Sequence, residues 1–331
     1  MKKLIKTFKL DNVSIPNNIL FAPMSGISDV PFRNTVQKFS PGLVFSEMLA
    51  SRAVIRKNKK TIKMMAKNQN ENLAIQIAGC DPIIMSEAAR FCEGSGANLI
   101  DINMGCPVKK VTNGYAGSAL MKNEKLAIEI IESVTKSVNV PVTLKMRIGW
   151  DDRTKNAPKI AKIAEEVGIK MITVHGRTRC QMFKGKADWA FIKNVKQVVN
   201  IPVIANGDIN TIENVYKVFD QSGADGVMIG RGTYGKPWIF KEFSSKLENK
   251  KYKNPSIKNI KDIILEHFDS NLNFYGKLVG TKNFRKHLGW YSKSMKNSNL
   301  FRSKVNSLND PSIIKKYIND FFVYENYVHE T

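Results

Sequence analysis

The chain has 331 residues, 43% hydrophobic and 24% charged, enough to bury one large core and a smaller second one. A formal net charge of +23 and a pI of about 9.8 favour a polyanionic partner such as nucleic acid or a membrane surface, lysine drift in an AT-rich genome being the bland alternative. Four cysteines without CxxC spacing, a basic start lacking a signal-peptide core, and no run of roughly 18 apolar residues argue against a metal cluster, a disulfide framework, export and a membrane span. A cytoplasmic monomer without metal is expected.

Taken in chain order, short apolar and β-branched runs recur about every 30 residues. They are ILFAPM (19–24), LVFSEM (43–48), LAIQIA (73–78), LIDINM (99–104), PVTLKM (141–146), MITVHG (171–176), IPVIAN (201–206) and GVMIGR (226–231). Most lack strict alternation, as strands buried on both faces do. Between them stand helical patterns, among them EKLAIEIIESVTKSV (124–138), APKIAKIAEEVG (157–168) and IENVYKVFDQSG (212–223). The last two stop at glycine, a common helix terminator. Eight strand-plus-helix units over residues 1–244 predict an α/β fold of the (β/α)8 TIM-barrel type. The competing doubly wound sheet lacks its GxGxxG after the first strand. Residues 245–256 read as a polar linker, and 257–331 as a small C-terminal helical bundle with helical periodicity only.

Barrels of this kind carry their chemistry at the carboxyl ends of the strands. Those ends hold Pro23, Met24 and Ser25, then Glu47, Gln76, Asn103 with Cys106, Lys145 with Arg147, His175 with Arg177, Asn206-Gly207-Asp208, and Gly230-Arg231. Any one of them has an ordinary structural reading, but a polar group or glycine at every end is hard to dismiss. The glycines of ANGD (205–208) and IGRG (229–232) let backbone approach a ligand closely, and the loops after strands seven and eight often bind phosphate. With Lys145 placed to meet the electron-rich edge of a ring, and Gln76 offering both donor and acceptor, the set suits a flavin mononucleotide. Phosphosugar barrels share the phosphate loops.

The run DINMGCPVKKV (101–111) with AGSALM (116–121) carries a more specific signal. Together with APMSGISDVPFR (22–33), QIAGCDP (76–82), LKMRIGW (144–150), VHGRTR (174–179), IPVIANGDI (201–209), GADGVMIGRGTYGKPWIF (223–240) and RKHLGWY (285–291), it resembles the tRNA-dihydrouridine synthases, in particular the bacterial B-type. The likeness covers nearly the whole chain. It implies an FMN barrel with a helical RNA-binding domain, reducing uridine in the tRNA D loop with NADPH. Residue by residue it implies that Pro23, Met24 and Ser25 line the flavin and that Gln76, Lys145 and His175 bind its ring. Asn206, Gly207, Asp208, Gly230 and Arg231 would hold its phosphate end, and Cys106 would be the proton donor. The B-type likeness points to a single D-loop position.

The chemistry is consistent with that resemblance. Reduced flavin delivers hydride from N5 to C6 of uracil, and the enolate-like charge then needs a proton at C5 from a group within hydrogen-bond reach. A free thiol, with a pKa of roughly 8.5, is mostly protonated near neutral pH and serves as an acid. Pro107 restricts the backbone of the residue before it to extended conformations, which would aim the thiol. Asn103 is placed to hydrogen-bond the pyrimidine's imide edge, and Arg177 is a further candidate at the substrate. Lys109 and Lys110 are expected on RNA phosphates, their alternative being a solvated loop.

Two tracts are basic without an acid: Met48 to Asn70 has seven Lys and Arg, and Lys277 to Lys304 has eight. In the second, Lys282, Arg285, Lys286 and Lys293 are candidates for phosphate contacts, while Trp290 and Tyr291 read as core. Two rival readings are a flavin barrel acting on a free pyrimidine, like a dihydroorotate dehydrogenase, and an RNA-binding protein with a vestigial barrel. The first gives the basic helical tail no role. The second leaves the filled flavin positions unexplained.

Overall fold

The computed structural model describes residues 4–67 and 72–323; the end of the first basic tract (68–70) and of the helical tail (324–331) lie outside the described residues. The eight strand segments form one closed parallel barrel. They are β1 (Ile19–Phe21), β2 (two pieces, Val44–Phe45 and Leu49–Ala50), β3 (Leu73–Ala78), β4 (Leu99–Met104), β5 (Val142–Arg147), β6 (Met171–His175), β7 (Val203–Asn206) and β8 (Gly226–Ile229). Sequential neighbours pair throughout; β8 pairs with β1, and β2 with both β1 and β3, which closes the ring. Every residue of β3, β4 and β5 is buried, which is why these runs are apolar without alternation.

The second strand departs from the continuous run read in the sequence. Between its two pieces the Ser46 hydroxyl accepts from Gln76 N at 3.0 Å and donates to Glu47 O at 2.8 Å, taking backbone partners from the ladder. The Glu47 carboxylate accepts from Gly26 N. The structure also adds a feature the sequence reading passed over: an antiparallel hairpin, Phe8–Leu10 with Val13–Ile15. Leu10, Val13 and Ile15 cluster with Leu20, Phe45, Leu99, Met171 and Ile204 and so plug the amino-terminal end of the barrel.

Helices Pro82–Gly94, Glu124–Thr135, Ala157–Glu166 and Ile212–Ser222 begin and end where local chemistry dictates. Asp81 accepts from Ile83 N and Ile84 N, and Thr211 with Asn214 forms a capping box. Gly223, at φ 63°, ends the last of them in a left-handed turn that a β-carbon would strain.

The chain divides into two compact units, residues 1–29 with 41–232, and 30–40 with 233–331. The second unit therefore starts earlier than the predicted boundary at 244 and includes a helix from between the first two barrel strands. Its helices are α1 (Val30–Gln37), α2 (Ile239–Leu247), α3 (Ile257–Tyr275), α4 (Lys277–Tyr291), α5 (Ser298–Ser307) and α6 (Pro311–Phe321). The stretch read as a linker from 245 begins inside α2, whose Phe243 and Leu247 are buried. Its core joins Trp238, Ile264, Phe268, Phe284, Leu288, Phe301, Val305, Ile314 and Ile318. Each such large side chain contributes about 1.5–3 kcal/mol by leaving water. Tyr291 lies in this core as read, and half-buried Trp290 stacks on Tyr234 with ring centroids 4.0 Å apart.

Candidate active site

The carboxyl ends of the barrel strands gather the predicted groups. Register sets Asn103 opposite Lys145, and Arg147 opposite His175. Because neighbouring parallel strands bring same-face positions together, residues 42 and 28 apart in sequence meet without any loop rearrangement.

Lys145 is 8% exposed, and its ammonium donates to the neutral Asn206 Oδ1 at 3.1 Å. Asn206 in turn donates to Met228 O at 2.8 Å. Burial lowers the Lys145 pKa to about 8, although Asp101 and the Cys106 sulfur act to raise it. An ammonium with three donors and one neutral oxygen in reach is suited to an electron-rich ligand edge. His175 is driven well below its ordinary value, by burial first and then by Lys145, Arg147, Arg177 and Arg231, and so stays neutral. Gly207, at φ 116°, passes so close that a β-carbon would lie 2.9 Å from Ala187 Cβ and 3.2 Å from His175 Nε2. The next residue, Asp208, has φ 56°, so the backbone turns sharply here. Its carboxylate accepts from Arg177 at 2.5 Å and Arg231 at 2.9 Å. A β-carbon at Gly230 would touch Met24 Sδ at 3.4 Å and Ala22 Cβ at 3.6 Å, and Met24 N donates to Ser28 Oγ at 2.8 Å. Pro23 is partly exposed and Ser25 exposed at this rim. The donor set, the half-exposed Arg231 and the close backbone turn at Gly207 are of a kind that fits a flavin mononucleotide.

Cys106 lies just past β4, partly exposed, on a loop held from several sides. Asn103 Oδ1 accepts from Gly105 N at 3.2 Å and from Cys106 N at 3.0 Å. The Cys106 carbonyl accepts from Ser118 N at 3.0 Å and Ser118 Oγ at 2.9 Å. Arg147, 1% exposed, donates to Gly105 O at 2.8 Å and also to Thr178 O and Met182 O. Gly117 has φ 62°, and a β-carbon there would lie 2.8 Å from Cys106 O. Further along, Arg179 donates to Thr112 Oγ1 at 3.4 Å and stacks over Trp150 at 4.6 Å.

The other predicted residues fall into two groups. Lys109 and Lys110 are exposed on the short helix Lys109–Thr112. Arg177, by contrast, is 1% exposed and spends four N–H donors on Lys184 O, Gly185 O, Asp208 and His175. In the helical unit, Lys282 is exposed and Lys286 half-buried. Arg285 donates to Leu308 O at 2.9 Å and Asn309 Oδ1 at 3.0 Å, tying α4 to the turn before α6. Cys80 is partly exposed and free.

Sequence reading gave no role to Asp101, Arg147, Gly117 or Ser118. The first had a visible signal, a lone acid inside the apolar run LIDINM. The others act through backbone carbonyls, which no side-chain pattern announces. Among the described residues, no group of His, Cys, Asp or Glu is arranged to hold a metal, and no helix is long and apolar enough to cross a membrane.

Residues 20–323 match the family model described as dihydrouridine synthase. A probable tRNA-dihydrouridine synthase of Rickettsia conorii is 50% identical over 317 residues, 95% of this chain and 96% of that one. The tRNA-dihydrouridine synthase B of Pseudomonas aeruginosa is 40% identical over 311 residues, covering 93% and 94%. Among solved structures, morphinone reductase in complex with tetrahydroNAD superposes with a TM-score of 0.55 at 14% identity, over 78% of this chain and 94% of that one. Histamine dehydrogenase from Rhizobium sp. 4-9 gives 0.58 at 13% identity, over 81% and 51%. At such identities the structural likeness speaks for the barrel fold.

Proposed function

This chain belongs to the dihydrouridine synthase family, and from that premise we propose that it reduces the 5,6 double bond of a uridine in the D loop of tRNA, with FMN as cofactor and NADPH as electron donor. The observation that carries the reading is the pairing of a partly exposed thiol, Cys106, with the buried ammonium of Lys145 on neighbouring strand ends. When bound, FMN supplies the reducing electrons.

The chain's own residues do the rest. Pro23, Met24, Ser25, Gln76, Lys145 and His175 would hold the ring, and Asn206, Gly207, Asp208, Gly230 and Arg231 the phosphate end. Lys145, desolvated yet charged, would offer its ammonium to the electron-rich edge of the ring. Asn103 has one N–H left after its bond to Gln76 and offers it to a uracil carbonyl. Cys106 gives its proton to C5 of the base, and the resulting thiolate lies near Lys145 and Arg147. Arg177, with four of its N–H groups already bonded, shapes the loop rather than touching the base. Lys109 and Lys110, and in the helical unit Lys282 and Lys286, meet RNA phosphates. Arg285, bonded within its own unit, supports that surface.

Mass spectrometry of tRNA from cells lacking this protein tests the reading. Dihydrouridine should vanish from one D-loop position and return on complementation. Unchanged tRNA, or purified enzyme that reduces free uracil and not tRNA, would overturn it in favour of a free-pyrimidine reductase.

A further inference from the structure

A relay of hydrogen bonds runs from the barrel interior to the thiol loop. Thr143 Oγ1 donates to Asp101 Oδ1 at 2.6 Å, and Gln76 Nε2 donates to Asp101 Oδ2 at 2.6 Å. Asn103 Nδ2 donates to Gln76 Oε1 at 2.7 Å, and Asn103 Oδ1 accepts from Gly105 N and Cys106 N. From the loop end the direction of every bond is forced. Two backbone N–H groups only donate, so Asn103 must turn its oxygen to them and its amide nitrogen to Gln76. Gln76 must then turn its own nitrogen inward, where it meets Asp101. An amide at that terminus could present either end, whereas a carboxylate can only accept.

We propose that Asp101 is a positioning residue, the fixed acceptor that anchors the inner end of the Gln76–Asn103 relay and through it the placement of the Cys106 loop; the proposal rests on the dihydrouridine synthase reading for its effect on turnover. Asp101 is fully buried between Ile100 and Ile102, where an aliphatic side chain would suit the strand. Burial raises its pKa to about 6, against the bonds from Thr143 and Gln76 and the charge of Lys145. A carboxyl kept in so unfavourable a place has a task that an apolar residue cannot do. The plain alternative is that Asp101 serves only as a counter-charge to Lys145.

Asparagine and leucine separate the two. Asp101→Asn removes the charge but keeps an acceptor toward Gln76, because the Thr143 hydroxyl can rotate to accept from the new amide. Asp101→Leu removes the acceptor. Amide exchange at Gly105 and Cys106, resolved by fragmentation mass spectrometry, should stay within about threefold of wild type in the asparagine variant and speed up by about tenfold or more in the leucine variant. Turnover on tRNA should follow, falling about tenfold or more only in the leucine variant. Should that variant fail to fold, Asp101→Asn combined with Thr143→Val takes its place: valine cannot accept, the buried amide loses its anchor, and the pair should behave as leucine does while each single change stays near wild type. Equal losses in the asparagine and leucine variants would assign Asp101 to counter-charge and overturn the proposal. Unchanged exchange in the leucine variant, or in the double variant, would overturn it as well. Exchange is read on the chain alone, so a wild-type protein that makes no dihydrouridine defeats the functional reading and leaves the relay to be judged on its own.

Discussion

Acidification should unfold the helical unit well before the usual carboxylate range is reached. His267 and His287 are each 1% exposed, packed with Phe32, Phe284 and Tyr291. Among the described residues, the Nε2 atoms of both, and both polar atoms of the Asn271 amide, have no hydrogen-bond partner. Burial, helped by Lys286, lowers His267 to about 3; burial, then His267 and Lys286, holds His287 well below its ordinary value. An unfolded histidine binds its proton near pH 6.5. Between that pH and the folded value the unfolded chain carries more protons, so stability is full above about pH 6.5 and drains as pH falls, by up to about 1.4 kcal/mol per pH unit for each histidine. At pH 5 the loss is about 2 kcal/mol each and about 4 kcal/mol together. Urea unfolding in a Trp150→Phe, Trp189→Phe background, with Trp238 and Trp290 fluorescence as the signal, measures it. His287→Leu should halve the pH 7 to pH 5 loss while changing stability at pH 7 by only about 1 kcal/mol, since the group removed lacks a partner. Equal stability of the wild type at the two pH values, or an undiminished loss in the variant, would refute the reasoning.

Cys106→Ala should retain flavin and its reduction by NADPH while dihydrouridine formation collapses by about a hundredfold or more, as followed in stopped-flow and by nucleoside analysis. Gly117→Ala places a β-carbon against Cys106 O in left-handed backbone; it should cost about 1–3 kcal/mol and lower tRNA turnover disproportionately, which thermal unfolding and kinetics will separate. Phe284 is fully buried and stacks on Phe268 at 4.7 Å, so Phe284→Ala should destabilise the helical unit by about 3–5 kcal/mol in urea unfolding. Binding to tRNA, measured by filter retention, should weaken roughly fiftyfold for a fourfold rise in salt if about four phosphates are contacted; a flat response would speak against the basic surfaces.

The strands were legible because both of their faces are buried and the chain says so in predominantly apolar runs without strict alternation, the few polar residues inside them, Gln76 and Asp101 among them, being buried and bonded to one another. Helix limits at Gly168 and Gly223 were legible for a backbone reason, since left-handed turns favour glycine wherever they occur. What eluded reading was decided between segments distant in sequence. Helix α1 reads like any other barrel helix, yet Phe32 stacks on His267, 235 positions away, and the helix groups with the tail. Arg177 and Arg285 carry the charge expected of binding residues, but partners brought to them by folding, loop carbonyls among them, take up part of their donor sets, four N–H bonds of Arg177 and the Nη2 of Arg285. The local code thus determined the period, the barrel and the roster of reactive groups at its mouth. Only the tertiary structure decided which of those groups stay free to act, because a side chain's spare hydrogen bonds depend on what is packed against it.

The chemistry itself divides the same way. That an amide and a thiol end one strand and an ammonium the next is written in the one-dimensional pattern. That the amide's oxygen, turned to the thiol's own backbone, is backed by a fixed acceptor follows from a closed ring of strands, where a buried carboxylate can sit two side chains away and anchor the relay.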